Sequence, residues 1–272
     1  MDRKMESMFI CPHCRGTLYR EEKRLLCHRG HSFDLAKAGY ANLLVGKGGG
    51  VHGDNKEMIR ARKDFLDGGY YLPLRDALVE VLKREAPESL LDAGCGECFY
   101  TEGMASALPS CRIAGVDISK DALAYGAKRM KARAETAVAS VYDLPVAEEA
   151  FDALTLFFSP FAGEEFKRVL KKDGLFVMAI PGKRHLWELK SILYKEPYEN
   201  KVADFALDGF SLLEERQVAF ERTLEGKSLK DLFAMTPYFY RTPREGVERA
   251  RAKERLTVGF EFHLLTYRKR EE

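Results

Sequence analysis

The segment LLDAGCGECFY, from Leu90 to Tyr100, decides how the rest of the chain is interpreted, because it holds two patterns at once. One pattern is a glycine loop, Asp92–Glu97, which follows an apolar run. The other is a C-x-x-C motif, Cys95–Cys98, of the kind that forms a redox disulfide or half of a metal site. The two patterns predict different chemistry, and the surrounding sequence separates them.

The composition is that of a folded protein. The chain has 272 residues, of which 46% are hydrophobic and 32% charged, and this length suits one large domain with a smaller one. The net charge is only +2, so a polyanionic partner would have to bind a local cluster of cations. We find neither a signal peptide nor a membrane-spanning pattern. We therefore expect a cytoplasmic protein without membrane association, whose six cysteines stay reduced.

Short apolar runs alternate with helical periodicity from residue 89 onward. This alternation predicts βαβ units and a parallel sheet, that is, an α/β fold. Before it, we expect one helix capped by Asp54 or Asn55 and another after Pro73. The predicted strands are 89–93, 112–117, 136–140, 153–159 and 174–180, with helices at about 99–107, 119–132 and 163–171; further on we expect a helix at 185–195, a strand near 212–224, a helix after Ser228 and a strand at 256–267.

A glycine-rich run separates two groups of cysteines. Three cysteines precede residue 28, and the other three lie between residues 95 and 111. Ordering the glycine-rich run from Gly46 to Gly53 into regular structure would cost much conformational entropy, and we interpret the run as a flexible linker. The expected organisation is a small N-terminal module at 1–45, a linker at 46–54 and a large domain at 55–272.

The N-terminal module contains the pattern of a metal site. CPHC at 11–14 and CHRGH at 27–31 give the spacing C-x2-C-x12-C-x3-H, and two such pairs can converge on one tetrahedral zinc ion. A module of about 45 residues also has too little core to fold without such support. Four protein ligands would make the zinc structural. The candidate ligands are Cys11, Cys14 and Cys27, with His31, His28 or His13 in the fourth position.

The module is also rich in cations. Together they make it a candidate RNA-contacting surface, because phosphates attract clustered Lys and Arg. A solvated charged face would give the same pattern. The cations are Arg15, Arg20, Lys23, Arg24 and Arg29.

The glycine loop has the strand–turn–helix context of a nucleotide-binding loop, in which small residues let a ligand approach the backbone. Asp117 ends the next strand about twenty residues later, where a carboxylate can accept hydrogen bonds from ribose hydroxyls. The loop resembles the D-x-G-x-G-x-G loop of class I S-adenosylmethionine methyltransferases, with Cys98 in the third glycine position. A redox pair would predict a thioredoxin-like βαβ unit without a ribose acid. The cofactor-binding candidates here are Asp92, Gly94, Gly96, Glu97 and Asp117.

Nearly the whole chain is similar to the RlmA-type 23S rRNA guanine-N1 methyltransferases. The order and spacing of the shared blocks are more specific than any one block. These blocks are CPHC and CHRGH with the following SFDLAKAGYANLL (11–44), HGDNKEMIRARKDFLDGGYYLPLRD (52–76), LLDAGCGECFYT (90–101), GVDISKDAL (115–123), FSPFAGEEFKRVLKKDGLF (158–176), IPGKRHLWELK (180–190) and MTPYFYR (235–241).

The resemblance implies a class I, Rossmann-like fold with a mostly parallel seven-stranded sheet, preceded by a zinc-binding RNA-recognition module. It implies S-adenosylmethionine as methyl donor, structural zinc as metal and a 23S rRNA hairpin as substrate. It favours His31 over His28 as the fourth zinc ligand. The sequence does not determine the oligomeric state, for which a homodimer is one expectation.

The resemblance also places Tyr71, Gly96, Glu97 and His185 at positions that touch the cofactor. Without the family, Tyr71 would be interpreted as a core aromatic and His185 as a residue that caps a helix. Asp117 stays a candidate on the physical argument for ribose binding alone.

The implied reaction moves a methyl group in line from a sulfonium to N1 of guanine. That nitrogen carries a proton, which a base accepts or which leaves during the attack. The sequence does not choose among four candidate bases: Glu97, Asp143, His52 and Asp54.

Aromatic residues after the fourth strand are candidates to bind the guanine. Phe161 or a neighbouring aromatic could stack on it and Ser159 could contact its edge, because ligands bind at this edge of such sheets. The run Tyr238–Arg241 mixes stacking and charge in the same way. Core packing is the ordinary alternative for all of these aromatics.

Other functions also fit the sequence. The chain could methylate another RNA, or act as a small-molecule methyltransferase that uses the zinc module as a lid. A zinc-ribbon RNA-binding protein with an inactive cofactor loop is the non-enzymatic alternative. Salt-dependent RNA binding separates RNA substrates from small molecules, and cofactor binding separates an enzyme from a scaffold.

Overall fold

The structure is a computed structural model that describes residues 5–44, 54–202 and 204–270. The predicted linker run Gly46–Gly53 and His52 lie outside the described residues. In chain order the elements are β1 (Met5–Ile10), β2 (Thr17–Glu21), β3 (Arg24–Cys27), β4 (Ser32–Asp34), β5 (Ala41–Asn42), α1 (Lys56–Asp67), α2 (Leu72–Glu85), β6 (Ser89–Ala93), α3 (Phe99–Ala107), β7 (Arg112–Asp117), α4 (Lys120–Met130), β8 (Glu135–Val138), β9 (Phe151–Phe157), α5 (Gly163–Val169), β10 (Leu170–Pro181), α6 (Trp187–Leu193), β11 (Phe210–Glu225), α7 (Gly226–Met235), α8 (Tyr238–Arg241), α9 (Arg244–Ala252) and β12 (Arg255–Lys269).

The central sheet of the large domain has the strand order β11-β12-β10-β9-β6-β7-β8-β5. The strands from β10 through β5 in this order pair in parallel, whereas β12 runs antiparallel to both β10 and β11. The predicted class I α/β architecture with its mostly parallel sheet is therefore confirmed. Seven of the eight strands correspond to the seven strands predicted from the sequence, and the eighth is β5 from the N-terminal segment.

Buried side chains alternate between the two faces of the sheet, as expected for a parallel sheet covered on both sides. Leu90 of β6 packs in one apolar cluster with Leu78 of α2 and Met104 of α3. Leu91, the next residue, packs in the other cluster with Phe166 of α5 and with Phe9 of β1. The N-terminal module thus shares a hydrophobic core with the large domain.

The N-terminal module is a four-stranded antiparallel sheet in the order β1-β2-β3-β4, followed by β5. β5 pairs in parallel with β8, and the Leu43 N–H donates to the Val138 carbonyl at 3.0 Å. The Ile10 N–H donates to the Pro145 carbonyl at 2.8 Å. The sequence does not predict these contacts, because a strand of two residues is too short to show an alternating pattern.

Helix α1 begins as predicted, since the Asn55 side chain accepts a hydrogen bond from the Met58 N–H at 2.9 Å. The fourth predicted strand, 153–159, ends two residues earlier than expected, at Phe157. Helix α9 was not predicted because it is short and highly charged; it buries only Gly246 and packs Val247 and Ala250, both partly buried, against the core. No helix in the described part of the chain has both the length and the apolar character needed to cross a membrane.

Candidate functional site

The predicted zinc ligands converge in the N-terminal module. The ligand atoms of Cys11, Cys14, Cys27 and His31 all lie within 4.8 Å of one another. His31 Nδ1 is 3.4 Å from Cys11 Sγ and 3.3 Å from Cys27 Sγ, and the Cys14 and Cys27 sulfurs are 3.8 Å apart. Zinc–sulfur bonds of about 2.3 Å at tetrahedral angles put two sulfurs about 3.8 Å apart, so this donor set fits zinc.

The other two histidines of the module lie outside this donor set. His28 is exposed and packs beside Gly16, where an added Cβ would come 2.9 Å from its ring. His13 stacks at 5.8 Å on Phe33 and contacts the His31 ring at 5.1 Å. The geometry thus agrees with His31, and neither His28 nor His13 joins the cluster.

A cavity of 720 Å³ lies at the carboxyl edge of the parallel strands. Its walls include the loop after β6, the end of β7, the segment after β9 and the residue that ends β10. This edge is where sheets of this type bind ligands. Of the predicted cofactor residues, Tyr71, Gly94, Gly96, Glu97, Asp117 and His185 line the cavity, and Asp92 does not.

Two glycines shape the loop for different reasons. Gly94 has φ +79°, and Ser159 fills the space that a Cβ would occupy. Gly96 has φ +53° and is open toward the cavity, since the nearest atoms to an added Cβ are Arg62 Nη2 at 3.9 Å and Asp117 Oδ2 at 4.0 Å. Gly94 is therefore needed for packing, whereas Gly96 leaves room for a ligand.

Asp117 lies directly beside the loop. Its Oδ2 accepts a hydrogen bond from the Gly96 N–H at 2.8 Å, and its Oδ1 accepts one from the Ser119 N–H at 2.7 Å. Burial raises the pKa of Asp117, although both hydrogen bonds oppose this shift. The carboxylate is thereby fixed where the ribose of a nucleoside cofactor would meet it.

Asp92 supports the loop from below. Its two carboxylate oxygens accept hydrogen bonds from the hydroxyls of Thr101, at 2.6 Å, and Thr155, at 2.9 Å. Burial raises its pKa to about 6. Asp92 thus ties α3 to β9 across β6, and the structure gives it a supporting position rather than a place in the cavity wall.

Cys98 adopts the left-handed conformation of the glycine it replaces, with φ +59°. Its thiol is fully buried and packs against Gly126 of α4. Cys95 is 8% exposed. Its pKa is raised well above the ordinary value, chiefly by the hydrogen bond with Cys98 and also by burial. Thiols of this kind are poor nucleophiles, so the environment disfavours a redox pair.

Arg62, which no pattern in the sequence assigns to the site, supplies the positive charge in the cavity wall. Its Nε donates to both oxygens of Glu97 at 3.2 and 3.1 Å, and its Nη1 forms an ion pair with Asp54. Burial lowers the pKa of Arg62, but the neighbouring carboxylates outweigh it and raise the pKa above its ordinary value. The cavity wall has a net charge of −2, because it contains one guanidinium and three carboxylates, those of Asp54, Glu97 and Asp117. A negative charge suits a sulfonium ligand.

Tyr71 and His185 form part of the apolar wall. Tyr71 is 6% exposed and packs edge-on against Phe260 and Phe262 at 5.4 and 5.2 Å. Burial lowers the pKa of His185 to about 3, so the ring is neutral, and its Nδ1 accepts a hydrogen bond from the Glu261 N–H at 3.3 Å. The remaining proton then lies on Nε2, which can donate.

The aromatics after β9 separate into two groups. Phe161 is 38% exposed, packs against the buried rings of Phe166 and Phe176 at 5.6 and 5.9 Å, and does not line the cavity. Its neighbour Phe158 does line it, is 53% exposed and has φ +57°. An exposed aromatic held in a rare backbone conformation at a cavity is a typical functional feature, and no periodicity in the sequence reveals it.

Three further polar groups border the cavity. Ser159 and Tyr238, both named from the sequence, line it. Tyr100, which the sequence did not single out, also lines it, and its hydroxyl is buried without a hydrogen-bond partner among the described residues. A buried hydroxyl of this kind is available to a ligand.

Of the candidate bases, Asp54 and Glu97 line the cavity. Asp143 lies outside the cavity wall; its side chain is 81% exposed and pairs with Arg15 at 3.5 Å. His52 is outside the described residues. The structure therefore leaves two carboxylates in position.

Two regions of the chain match known families. Residues 9–46 match the zinc-ribbon family described as "RlmA, N-terminal", and residues 90–174 match the family described as "Methyltransferase domain". The first region contains the four predicted zinc ligands, and the second contains the glycine loop and Asp117. The chain is thus an S-adenosylmethionine-dependent methyltransferase with a zinc ribbon.

Full-length relatives extend these matches. A protein of Micromonospora griseorubida is 32% identical over 285 aligned positions, covering 95% of this chain and 96% of the relative. A protein of Streptomyces fradiae is 30% identical, covering 84% of each chain, and its name specifies N1 of guanine 748. The solved structure of the YcgJ protein from Bacillus subtilis is 15% identical with a TM-score of 0.48, covering 71% of this chain and 98% of that one. Both full-length relatives carry the name of a 23S rRNA guanine-N1 methyltransferase, and the chain belongs to this family.

Proposed function

We propose that the protein transfers the methyl group of S-adenosylmethionine to N1 of a guanine in a 23S rRNA hairpin. The observation that carries this proposal is the negatively charged cavity above the glycine loop, which opens beside the exposed ring of Phe158. It combines a site for a sulfonium with a stacking surface for a base. The names of the relatives support the choice of reaction and of RNA.

In this proposal the cofactor supplies an electrophilic methyl group on a positively charged sulfur. The backbone of Gly94–Glu97 would lie along its methionine part, and Asp117 would accept hydrogen bonds from its ribose. Tyr71 and His185 would complete the wall and exclude water. Holding donor and acceptor in line is the main contribution that such residues can make to the rate.

The guanine would enter next to Phe158, with Tyr238 on the same cavity wall. Its N1 proton has to leave as the methyl group arrives, and a carboxylate can accept it. Both carboxylates pair with Arg62, but the Glu97 side chain is 4% exposed whereas the Asp54 side chain is 35% exposed. We therefore assign Asp54 as the first candidate for the proton acceptor, because it can meet a base that enters from solvent.

The test is mass mapping of 23S rRNA from a strain that lacks the gene. We expect one guanine to lose its N1 methyl group and to regain it when the wild-type gene is returned. An Asp54→Asn gene should restore it poorly while the purified variant still binds the cofactor. A 23S rRNA with unchanged methylation in the deletion strain would contradict the proposed function.

A further inference from the structure

A second concave surface lies on the large domain, between helices α1, α7 and α9. This groove has a volume of 740 Å³. Five exposed cations line the groove, four on these helices and one directly after α9. They are Lys56 and Arg60 from α1, Lys230 from α7, Arg251 from α9 and Lys253 just after α9.

The charge of this groove is not balanced within the protein. None of its five cations forms an ion pair with any residue that the structure describes, whereas the nearby Lys63 and Lys227 each pair with aspartates. The acids in the groove wall are Glu57 and Asp231, and Asp231 is already paired with Lys227 at 2.5 Å. The groove thus has a local charge of +3 in a chain whose total is only +2. Such a concentration of unpaired cations attracts a polyanion.

The groove also offers aromatic rings. Tyr125 is 38% exposed, and Phe239 lines the same surface. Proteins that bind single-stranded nucleic acid combine cations along a groove with rings on which bases stack. The mixture is therefore typical of an RNA surface rather than of a site for a small anion.

The groove and the cofactor cavity share a wall. On α1, Arg60 faces the groove whereas Met58 and Arg62 face the cavity. At the end of α7, Phe233 faces the groove and Met235 faces the cavity. A strand in the groove would therefore run about one helix diameter, roughly 10 Å, from the cavity.

We propose that this groove binds the RNA phosphate backbone beside the target guanine, an inference that rests on the proposed function. The cations would fix the register of the RNA, and the nucleotide to be methylated would reach over the α1–α7 wall into the cavity. Phosphate contacts position a nucleic acid without reading its sequence, so the groove would add affinity and not base specificity.

The test compares three proteins: the wild type, a groove variant and a control variant. The groove variant carries Arg60→Gln, Lys230→Gln, Arg251→Gln and Lys253→Gln. The control carries Lys83→Gln and Lys172→Gln, two exposed lysines without ion pairs among the described residues, near the amino ends of the parallel strands. The probe is an unmodified 23S rRNA transcript, titrated at several salt concentrations.

We expect the groove variant to bind the transcript at least about tenfold more weakly at 0.1 M salt, with a slope of log affinity against log salt that is smaller by about 3. The control should match the wild type. S-adenosylmethionine should bind all three proteins equally in calorimetry, which shows that the groove variant is folded.

Two results would overturn the inference. One is a groove variant that binds the transcript with the wild-type salt slope. The other is a groove variant that loses binding to phosphatidylserine vesicles but keeps its RNA affinity. If the wild type binds RNA through the groove but methylates none of it, the proposed function fails while the groove assignment stands.

Discussion

The two C-x-x-C motifs of this chain have the same spacing and opposite surroundings. Cys11 and Cys14 lie within 4.8 Å of the ligand atoms of Cys27 and His31. Within the described residues, Cys95 and Cys98 join no cluster of three or more metal-ligand candidates. The first motif therefore lies in the predicted zinc site, whereas the second lies beside the cavity, whose wall includes Cys95 but not Cys98.

The pKa values of the thiols differ only in part between the two sites. Desolvation raises the pKa of Cys27, the partner of the first motif, but hydrogen bonds from the backbone at His31 and Arg29 outweigh it and lower the pKa to about 6. The pKa of Cys95 is instead raised well above its ordinary value by the hydrogen bond with Cys98 and by burial. Metals bind thiolates, and the lowered pKa of Cys27 favours one, but burial raises the pKa of Cys11 within the first motif. The convergence of four donor atoms, and not the pKa of the thiols, therefore separates the two motifs. The comparison shows that the partners, and not the spacing, decide what a C-x-x-C motif does.

The largest expected effect comes from removing one ligand of the predicted zinc site to which the first motif belongs. We expect Cys27→Ala to lower bound zinc from about one ion per chain to nearly none, because structural zinc contributes about 10 kcal/mol or more through its full ligand set. Atomic emission spectroscopy measures the metal, and hydrogen exchange should show strands β1–β4 losing protection. Cys98→Ala is the matched control and should keep its zinc. A Cys27→Ala protein with full zinc content would remove the first half of the comparison.

A smaller but still large effect is expected within the second motif. Gly96→Val forces a β-branched residue into φ +53° and places its methyl groups in the cavity. We expect S-adenosylmethionine affinity to fall at least about 100-fold, or about 3 kcal/mol, by calorimetry. Gly226→Val is the control, because Gly226 has φ +52° and open space around it, begins α7 and does not line the cavity. Equal losses in both variants would show that backbone strain, and not ligand contact, is responsible.

The smallest effect is expected at Cys98. Cys98→Gly relieves a left-handed conformation, which costs about 1 kcal/mol, but removes a buried thiol that contributes a similar amount. Thermal unfolding should therefore shift by only a few degrees, and cofactor affinity should stay within about threefold. A loss of cofactor affinity above tenfold would mean that the thiol itself contributes to the site.

The sequence predicts much of this fold because the central elements have strong periodicity. The strands at 89–93 and 112–117 and the helix at 99–107 begin and end as predicted. The tetrahedral donor set could also be predicted, since four ligands at fixed spacing leave few arrangements. Residues on α8 and α9, in contrast, are placed by tertiary contacts, and the only α9 side chains packed against the core, Val247 and Ala250, are too few to give a clear periodicity.

The cavity was predictable only in part, because tertiary contacts bring some of its residues together. The glycine loop and Asp117 are local features that follow predicted strands. Arg62 and Phe158 belong to the site only because the fold brings α1 and the end of β9 to the loop. Arg62 looks like one of several surface cations of α1 until its contact with Glu97, 35 residues away, is known. Long-range pairing of this kind has no signal in a single sequence.

Strand β5 of the N-terminal module covers one edge of the central sheet. β8 would be the bare edge of the sheet, and the backbone of Ala41 and Asn42 covers it. Uncovered strand edges pair with other chains and promote aggregation. A protein that loses zinc would loosen the segment that protects this edge. By holding the module together, the metal would keep β5 over this edge and so keep the enzyme monodisperse. The edge lies on the far side of β8 from the strands that carry the site.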